Sequence, residues 1–306
     1  MQNDTSIWGI DLGGTKIEGA ILANRHSTKT LARLRVDTEA QYGYEHILGQ
    51  ISKLIEQLKA ESGRAPRALG FGTPGSIDPP TQLLKNSNTV CLNGKPILQD
   101  LEARFGIPIY LANDANCFAV AETHLGIVPE KVVDAQVVFG VIMGTGVGGG
   151  LVVHGKVLNG KNGIGGEWGH NFLDESGGDC YCGKVGCVEK VIAGPALEKY
   201  YAQLSGQKRS MKAIMRRYYD GTDEAAIKTI QRLLRKFGEA ISVVINIVDP
   251  DAIVLGGGLG NIDLLYTEGV EICKEFVFNP RLDTPFLRPK LGDSAGVFGA
   301  ALLVPE

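Results

Sequence analysis

The chain has 306 residues, of which 44% are apolar and 21% charged, and its formal net charge is −3. These values are typical of a globular protein with enough apolar material for two cores, and they exclude a disordered chain. Acidic and basic residues are interspersed along the sequence, which argues against a nucleic-acid-binding surface. No stretch of the sequence reaches the roughly 18 to 20 apolar residues of a membrane-spanning helix.

The first residues of the chain and the isolated cysteines predict a reducing compartment. Residues 1–6 are polar, and the first apolar run already contains Asp11, which is not the pattern of a secretory signal. We therefore expect a cytoplasmic protein with reduced thiols. Three isolated cysteines in apolar surroundings are interpreted as small core residues: Cys91, Cys117 and Cys273.

The first predicted elements are a hairpin and a helix. Residues 7–22 form two β-rich runs joined by a tight turn of Gly and Thr. Residues 45–61 carry apolar side chains at helical spacing, which predicts an amphipathic helix. Two strands, at 68–71 and 107–111, and a helix at 115–125 complete the first half.

The second half opens with a hairpin that resembles the first. Residues 137–153 again form two β-rich runs around a turn of Gly and Thr. A long helix is predicted at 222–248, a strand at 252–255, and a short helix at 296–303. Strands that alternate with helices predict an α/β fold, and the repeated hairpin predicts two domains of related design.

Residues 167–189 predict a metal site. Cys180, Cys182 and Cys187 lie within eight positions, and His170 stands just upstream. Three thiolates and an imidazole complete the tetrahedral shell of a structural Zn²⁺, and metal binding explains such a cluster better than disulfides do in a reducing compartment. A closed shell leaves no position for substrate, so we expect the metal to fix a loop beside an active site. That loop also carries Glu167 and Glu189.

The turn of the second hairpin matches the dinucleotide-binding pattern G-x-G-x-x-G at residues 144–149. That pattern must lead into a helix, whose N-terminus meets the pyrophosphate, whereas here a β run follows. The Rossmann interpretation is therefore rejected. Two interpretations of this turn remain open. It is either a flexible turn or an anion-binding turn whose backbone N–H groups approach the ligand closely. The presence of the similar first hairpin and of the glycines at 256–258 favours anion binding.

Two carboxylates, those of Asp11 and Asp114, stand at positions typical of catalytic or cation-binding residues. Asp11 interrupts an apolar strand, where a carboxylate is costly unless it reaches water, donors or a cation such as the Mg²⁺ of a nucleotide. Lys16 either meets phosphate oxygens or lies at the surface. Asn113 and Asp114 stand where a strand gives way to a helix. They either cap that helix, or Asp114 acts as a general base at the end of the strand.

Five motifs, in this order, resemble the ROK family of repressors, open reading frames and sugar kinases. They are D-L-G-G-T-K at 11–16, N-D-A-N at 113–116, G-T-G-V-G-G-G at 144–150, E-W-G-H at 167–170, and the cysteine cluster. The resemblance covers essentially the whole chain. It implies the two-domain α/β fold of hexokinase and actin, built from duplicated ribonuclease H-like domains with ATP and sugar in the interdomain cleft. The implied domains are a smaller one at 1–115 plus 293–306 and a larger one at 116–292.

The resemblance also implies roles for individual residues. Asp114 would be the catalytic base, which takes the proton from the attacking sugar hydroxyl. The residues implied to bind the sugar are Gly75, Asn113, Asp114, Glu167, His170 and Glu189. Those implied to bind ATP and Mg²⁺ are Asp11, Gly13, Gly14, Thr15, Lys16, Gly144, Thr145, Gly146, Gly257, Gly258 and Asn261. The implied Zn²⁺ ligands are His170, Cys180, Cys182 and Cys187.

The expected activity is the ATP-dependent phosphorylation of a hexose at its 6-hydroxyl. Phosphoryl transfer requires charge neutralisation, in-line positioning and a base near the nucleophile, and the implied residues supply all three. Residues 92–96, 167–171 and 180–183 resemble the fructokinase and mannokinase branch, which predicts fructose or mannose. N-acetylglucosamine or glucose is the alternative, because relatives differ by few pocket residues.

Two other classes of protein share this family. A sugar-responsive repressor carries a helix-turn-helix domain before the first hairpin, and here six residues precede Ile7, so we expect none. A sugar sensor without catalysis has no need of Asp114 as a base. We therefore expect an enzyme whose partners are a hexose and ATP, without nucleic acid or membrane. Family resemblance further suggests a homodimer.

Overall fold

The computed structural model describes residues 4–305, which form two compact units. The first unit contains the described chain up to Asp134, Gly150–Gly165, and the chain from Lys290 onward. The second contains Ala135–Gly149 and Gly166–Pro289. The sequence predicted domains at 1–115 plus 293–306 and at 116–292, and this division stays a prediction.

The strands of the described chain form two five-stranded sheets and a short hairpin. The sheet orders are β3-β2-β1-β4-β7 and β10-β9-β8-β11-β12, and β5 pairs with β6. The strands are β1 (Ile7–Leu12), β2 (Lys16–Leu22), β3 (Thr30–Asp37), β4 (Leu69–Thr73), β5 (Ser76–Ile77), β6 (Leu84–Lys85), β7 (Ile109–Asn113), β8 (Val137–Met143), β9 (Val147–Val153), β10 (Lys156–Val157), β11 (Ala252–Gly256) and β12 (Phe286–Leu287).

Helices connect and cover these strands, which confirms the predicted α/β class. The helices are α1 (Tyr44–Ser62), α2 (Ile97–Phe105), α3 (Asp114–His124), α4 (Val128–Lys131), α5 (Val188–Ile192), α6 (Gly194–Ser205), α7 (Met211–Asp220), α8 (Glu224–Val248), α9 (Glu268–Lys274) and α10 (Ala295–Leu302). Among the residues described, no helix combines the length and the apolar character that crossing a membrane requires.

The first sheet brings three strand ends together. Strands β1, β2 and β3 pair antiparallel, whereas β4 pairs parallel with both β1 and β7. In this register Asp11 lies opposite Gly72, and Thr73 lies opposite Asn113. Because the carboxyl ends of parallel strands meet at one edge, Asp11, Thr73 and Asn113 lie along the same edge of the sheet.

Helix packing explains why the first unit extends beyond residue 115. Helix α3 packs against α10, which also packs on β1 and β4 of the first sheet. The approach is close: a Cβ on Gly299 would lie 1.8 Å from the carbonyl oxygen of Cys117. Helix α3 therefore belongs to the core of the first unit, and a boundary placed at its start would have divided that core.

The long helix α8 follows its predicted pattern. Its buried face includes Ile230, Leu233, Phe237 and Ile241, at the spacing of an amphipathic helix. It begins at Glu224 instead of 222 because Asp223 is the N-cap, whose side chain accepts a hydrogen bond from the backbone N of Ala226 at 3.0 Å.

Candidate active-site residues in the two units

The turn of the first glycine hairpin is fixed from within the first unit. The backbone N of Gly13 donates to the carbonyl of Lys16 at 3.0 Å, which closes the turn between β1 and β2. The buried Thr38 holds it from outside, because its backbone N donates to Thr15 O at 2.9 Å and its Oγ1 donates to Gly13 O at 2.7 Å. Gly14, Thr15 and Lys16 remain exposed, so their polar groups are accessible to an anionic ligand.

Asp11 is a partly buried carboxylate on the strand that leads into this turn. Burial raises its pKa to about 6, and the negative charges of Asp114 and Glu18 contribute in the same direction. Within residues 4–305 its oxygens accept no hydrogen bond. A carboxylate in this position fits a hard divalent cation, since Mg²⁺ binds oxygen ligands and would stabilise the charged form.

Asn113 and Asp114 occupy the junction of β7 and α3. The side-chain oxygen of Asn113 accepts from the backbone N of Asn116 at 2.7 Å, so Asn113 is the N-cap of α3. Oδ1 of Asp114 accepts from the backbone N of Ala115 at 2.8 Å. The capping interpretation thus applies to Asn113, while Asp114 presents an exposed side chain at the strand end.

The electrostatic surroundings of Asp114 suit a general base. Its side chain reaches the surface, yet loss of solvation in the surrounding protein raises its pKa above the ordinary value. The backbone N–H groups of Ala115 and Asp114 oppose this shift. A carboxylate with a raised pKa is a stronger proton acceptor.

The turn at 72–75 also lies at this edge. Gly75 has φ +86°, and a Cβ there would lie 2.4 Å from the carbonyl oxygen of Lys85, so the position requires glycine. Two hydroxyl oxygens beside the turn, Thr73 Oγ1 and Ser76 Oγ, are buried and have no hydrogen-bond partner within the described residues. Sequence reasoning did not single out either hydroxyl, although both flank the proline-glycine turn.

The turn of the second glycine hairpin is held by a different kind of contact. The backbone N of Gly144 donates to Gly146 O at 2.9 Å, and Gly194 N donates to Gly144 O at 2.8 Å. The backbone N of Val147 donates to Oε2 of Glu189 at 3.1 Å. This carboxylate therefore touches the hairpin that the sequence predicts for phosphate binding, a contact that sequence reasoning missed.

Glycines after β11 lie beside the second hairpin. A Cβ on Gly144 would lie 3.8 Å from the backbone N of Gly258, so the two glycine segments are neighbours within the second unit. Gly257, Gly258 and Asn261 are exposed, and the side chain of Asn261 donates to Gly258 O at 3.3 Å. The structure thus groups the predicted phosphate and adenosine residues of this unit.

The loop that carries Glu167 is anchored by Trp168. This tryptophan is 4% exposed, and its indole N–H donates to the carbonyl of Gly148 on β9 at 2.9 Å. Its ring packs edge-on against Phe139, with 5.9 Å between centroids. The neighbouring Glu167 and His170 are partly exposed.

The predicted metal ligands form one cluster. The ligand atoms of His170, Cys180, Cys182 and Cys187 all lie within 4.8 Å of one another. Nδ1 of His170 is 3.6 Å from the Cys180 sulfur, and the sulfurs of Cys182 and Cys187 are 3.6 Å apart. Thiolates about 2.3 Å from a tetrahedral Zn²⁺ lie about 3.8 Å from one another, so the donor set and its spacing fit that ion.

The second ring nitrogen of His170 has a partner that sequence reasoning missed. Nε2 lies 3.0 Å from the hydroxyl of Tyr181, and the two rings meet edge-on. A metal on Nδ1 would fix the tautomer with hydrogen on Nε2, which then donates to Tyr181. Tyr181 is the residue between two cysteine ligands, and its exposed ring gave no sequence signal beyond that position.

Comparisons with known proteins agree with these features. The model of the ROK family matches residues 7–306. N-acetyl-D-glucosamine kinase of Pasteurella multocida is 35% identical over 308 residues, covering 97% of this chain and 98% of that protein. ROK hexokinase of Thermus thermophilus is 32% identical with a TM-score of 0.85, covering 98% and 97% of the two chains.

A further solved structure supports the fold. The ROK family glucokinase of Streptomyces griseus, in complex with glucose and AMPPNP, is 25% identical with a TM-score of 0.74, and the match covers 98% of this chain and 99% of that one. The predicted fold class, that of hexokinase and actin, is therefore confirmed. The five motifs were interpreted correctly at the level of the family: this chain belongs to the ROK family.

Proposed function

We propose that this protein is an ATP-dependent kinase that phosphorylates the 6-hydroxyl of N-acetylglucosamine. The observation that carries the proposal is the full-length similarity to N-acetyl-D-glucosamine kinases, 35% identical in Pasteurella multocida and 36% identical in Histophilus somni. The sequence had favoured fructose or mannose, and these relatives favour its alternative instead.

The residues of the first unit suit the chemical step. Asp114 accepts the proton of the sugar 6-hydroxyl as the oxygen attacks the γ-phosphorus of ATP. A bond forms between that oxygen and the phosphorus, the bond from phosphorus to the β,γ-bridging oxygen breaks, and ADP leaves. The exposed turn at Gly14–Lys16 would hold the phosphates of ATP, and Asp11 would hold Mg²⁺, which would supply neutralisation of the phosphate charge.

The residues of the second unit suit substrate recognition. The carboxylates of Glu167 and Glu189 accept hydrogen bonds from sugar hydroxyls. Since Nδ1 of His170 faces the metal cluster and Nε2 contacts Tyr181, His170 would bind a hydroxyl through Nε2 in place of Tyr181. In the first unit, Asn113 and Gly75 keep the sugar-binding roles predicted for them. A hexose has several similar hydroxyls, so several fixed acceptors are needed to orient one of them for attack. Gly144–Gly146, Gly257, Gly258 and Asn261 bind the donor nucleotide.

The His170 and cysteine cluster holds a structural Zn²⁺ in this proposal. Its four donors match the tetrahedral shell, and the loop they anchor carries Glu167 and leads to Glu189. Elemental analysis should find about one Zn²⁺ per chain, and Cys187→Ser should lower both the zinc content and the melting temperature. Protein that is active without any bound metal would contradict this role.

The test of the function is a coupled ADP-release assay over a panel of sugars. We expect N-acetylglucosamine to give the highest kcat/KM, ahead of glucose, mannose, fructose and N-acetylmannosamine, and ³¹P NMR to identify the product as a 6-phosphate. No ADP release with any hexose and Mg-ATP would refute the kinase. A higher kcat/KM with fructose or mannose would restore the original prediction. The cytoplasmic location and the homodimer stay predictions.

A further inference from the structure

A cavity within the second unit has a basic lining that no step of the proposed reaction uses. Its volume is about 210 Å³, and its walls come from α5, α6, α8, the 3₁₀ turn at Glu175–Gly177 and the tip of the second hairpin. Three cationic side chains line it, from Lys190, Lys199 and Arg232. The only carboxylate on its wall is that of Glu189, which already accepts the backbone hydrogen bond from Val147.

Several cations of the same unit are paired with carboxylates, whereas those that line the cavity are not, as far as the described residues go. Lys228 pairs with Glu224 at 2.7 Å, Arg217 pairs with Asp223 at 3.1 Å, and Lys236 pairs with Asp174 at 2.8 Å. Within residues 4–305, by contrast, neither Lys190 nor Lys199 has a carboxylate or hydrogen-bond partner. Unpaired cations around a cavity raise the local positive potential and attract anions.

Arg232 is held in place although it lacks a carboxylate. Its guanidinium lies 4.6 Å from the centroid of the Tyr200 ring, and one terminal nitrogen donates to Ser176 Oγ at 2.6 Å. Its Nε is buried and has no acceptor among the described residues. The planar group is therefore fixed by stacking and a neutral hydroxyl, with its charge uncompensated, which is an arrangement suited to an oxyanion.

We propose that this cavity is a second anion site, which binds a phosphate-bearing ligand separately from the phosphates of ATP. Three cations against one engaged carboxylate match an anion with two or more negative charges, and the volume accommodates one of pyrophosphate size. Thr145 and Glu189, which are predicted to bind ATP and sugar, also line the cavity. A bound anion would therefore contact the tip of the phosphate-binding hairpin, which gives the site a direct route to influence catalysis.

The test is a calorimetric titration with inorganic pyrophosphate, performed on protein saturated with AMPPNP and N-acetylglucosamine without added Mg²⁺, so that the donor site is filled. We expect one equivalent of pyrophosphate to bind, with an affinity that falls as salt concentration rises. The double variant Lys190→Gln/Lys199→Gln removes two charge-assisted contacts and should weaken binding at least about tenfold.

The double variant Lys208→Gln/Lys212→Gln is the matched control. It removes the same two charges from exposed residues of the same unit that do not line the cavity, and it should bind pyrophosphate like the wild type. No binding once AMPPNP is present, or equal binding by the double variant and the wild type, would overturn the second site. Neither result would affect the sugar-kinase proposal, which the ADP-release assay tests independently.

A second titration, with hexose 6-phosphate in place of pyrophosphate, distinguishes a sugar phosphate from an inorganic phosphate as the natural ligand. Tighter binding of the hexose phosphate than of pyrophosphate assigns the cavity to the product class of the proposed reaction, and the reverse order assigns it to inorganic phosphates. Either order supports the site, provided that the double variant weakens binding.

Discussion

The two glycine hairpins have similar sequences but are held in different ways. In the first, Thr38 fixes the turn through two hydrogen bonds, and no role in binding substrate is proposed for this buried residue. In the second, the backbone of Val147 is bound by Glu189, a residue proposed to contact the sugar. The first turn is therefore held by a residue with a purely structural role. The second is held by a carboxylate that is also proposed to bind the sugar.

This difference suggests how the second unit organises its ligands. Glu189 lies in α5, whose N-cap is the predicted metal ligand Cys187, and Gly194 just beyond α5 also bonds the hairpin. One short segment thus links the predicted metal cluster, a carboxylate proposed to bind the sugar and the hairpin proposed to bind phosphate. We expect disturbance of the second hairpin to affect both substrates, and disturbance of the first to affect mainly ATP.

Among the variants that compare the two hairpins, the largest effect is expected from Gly146→Ala. The added Cβ would lie 2.5 Å from Oε2 of Glu189 and would displace the carboxylate that both ligands depend on. Since misplacement by about 1 Å can reduce rates about a hundredfold, we expect a loss of that order in kcat/KM for both sugar and ATP. Gly14→Ala is the counterpart in the first hairpin, where the Cβ would make an ordinary 3.5 Å contact with Thr89 Oγ1. Its loss should be much smaller, and equal losses would contradict the comparison.

The next largest effect comes from a difference in charge between the two hairpins. Asp11 lies just before the turn of the first hairpin, and the matching position in the second is Ile142. The folded-state pKa of Asp11 is about 6, above its ordinary 3.8, so the folded protein binds the proton more tightly than the unfolded chain does. Without Mg²⁺, wild-type stability should therefore fall as pH rises from about 4 to 6, and stay reduced above that range. Asp11→Asn should remove this slope and raise the free energy of unfolding by about 2 kcal/mol at pH 7.5 while reducing activity. Urea unfolding of the wild type and of Asp11→Asn at pH 4.5 and 7.5 measures this dependence of stability on pH. The same dependence in both proteins would show that Asp11 is not the titrating group responsible.

A pair of Glu189 variants separates its two contacts. Glu189→Gln keeps an acceptor oxygen at the same reach, so the hairpin bond to Val147 persists while the charged contact with sugar is lost. We expect the KM for sugar to rise about tenfold and the KM for ATP to change little. Glu189→Asp is one methylene shorter and should raise both KM values. If neither variant changes the KM for ATP, Glu189 does not position the hairpin.

The smallest effect is expected from Thr38→Val in the first hairpin. This variant removes the Oγ1 hydrogen bond to Gly13 and leaves the carbonyl without that donor. The free energy of unfolding should fall by about 1 kcal/mol, and the KM for ATP should rise while that for sugar stays constant. Thr38→Ser, which retains the hydroxyl, is the control. A parallel rise in the sugar KM would remove the distinction between the hairpins.

Local pattern accounts for what the sequence predicted correctly. Both hairpins, α1, α8 and the cysteine cluster are recognisable because their residues repeat or group within short windows. The supporting contacts were missed because their partners are distant in sequence. Thr38 meets Gly13 over 25 positions, and Glu189 meets Val147 over 42. The packing of α10 on α3 likewise joins distant parts of the sequence, and the pattern of neither helix alone predicts it.

The sugar specificity was predicted less well than the fold. Residues 92–96 resembled one branch of the family, but differences among sugars depend on a few side chains that surround a ligand. Motif similarity therefore identified the kind of chemistry, whereas the relatives favour the alternative substrate, N-acetylglucosamine, over fructose or mannose.

The central claim is that Asp114 takes the proton from the sugar. The direct measurement is kcat for Asp114→Asn with N-acetylglucosamine and Mg-ATP, together with the dissociation constant of the sugar and the melting temperature. A lost general base predicts a kcat reduced about 10²- to 10⁴-fold, with sugar binding and stability largely retained. A variant that keeps the wild-type kcat would contradict the account.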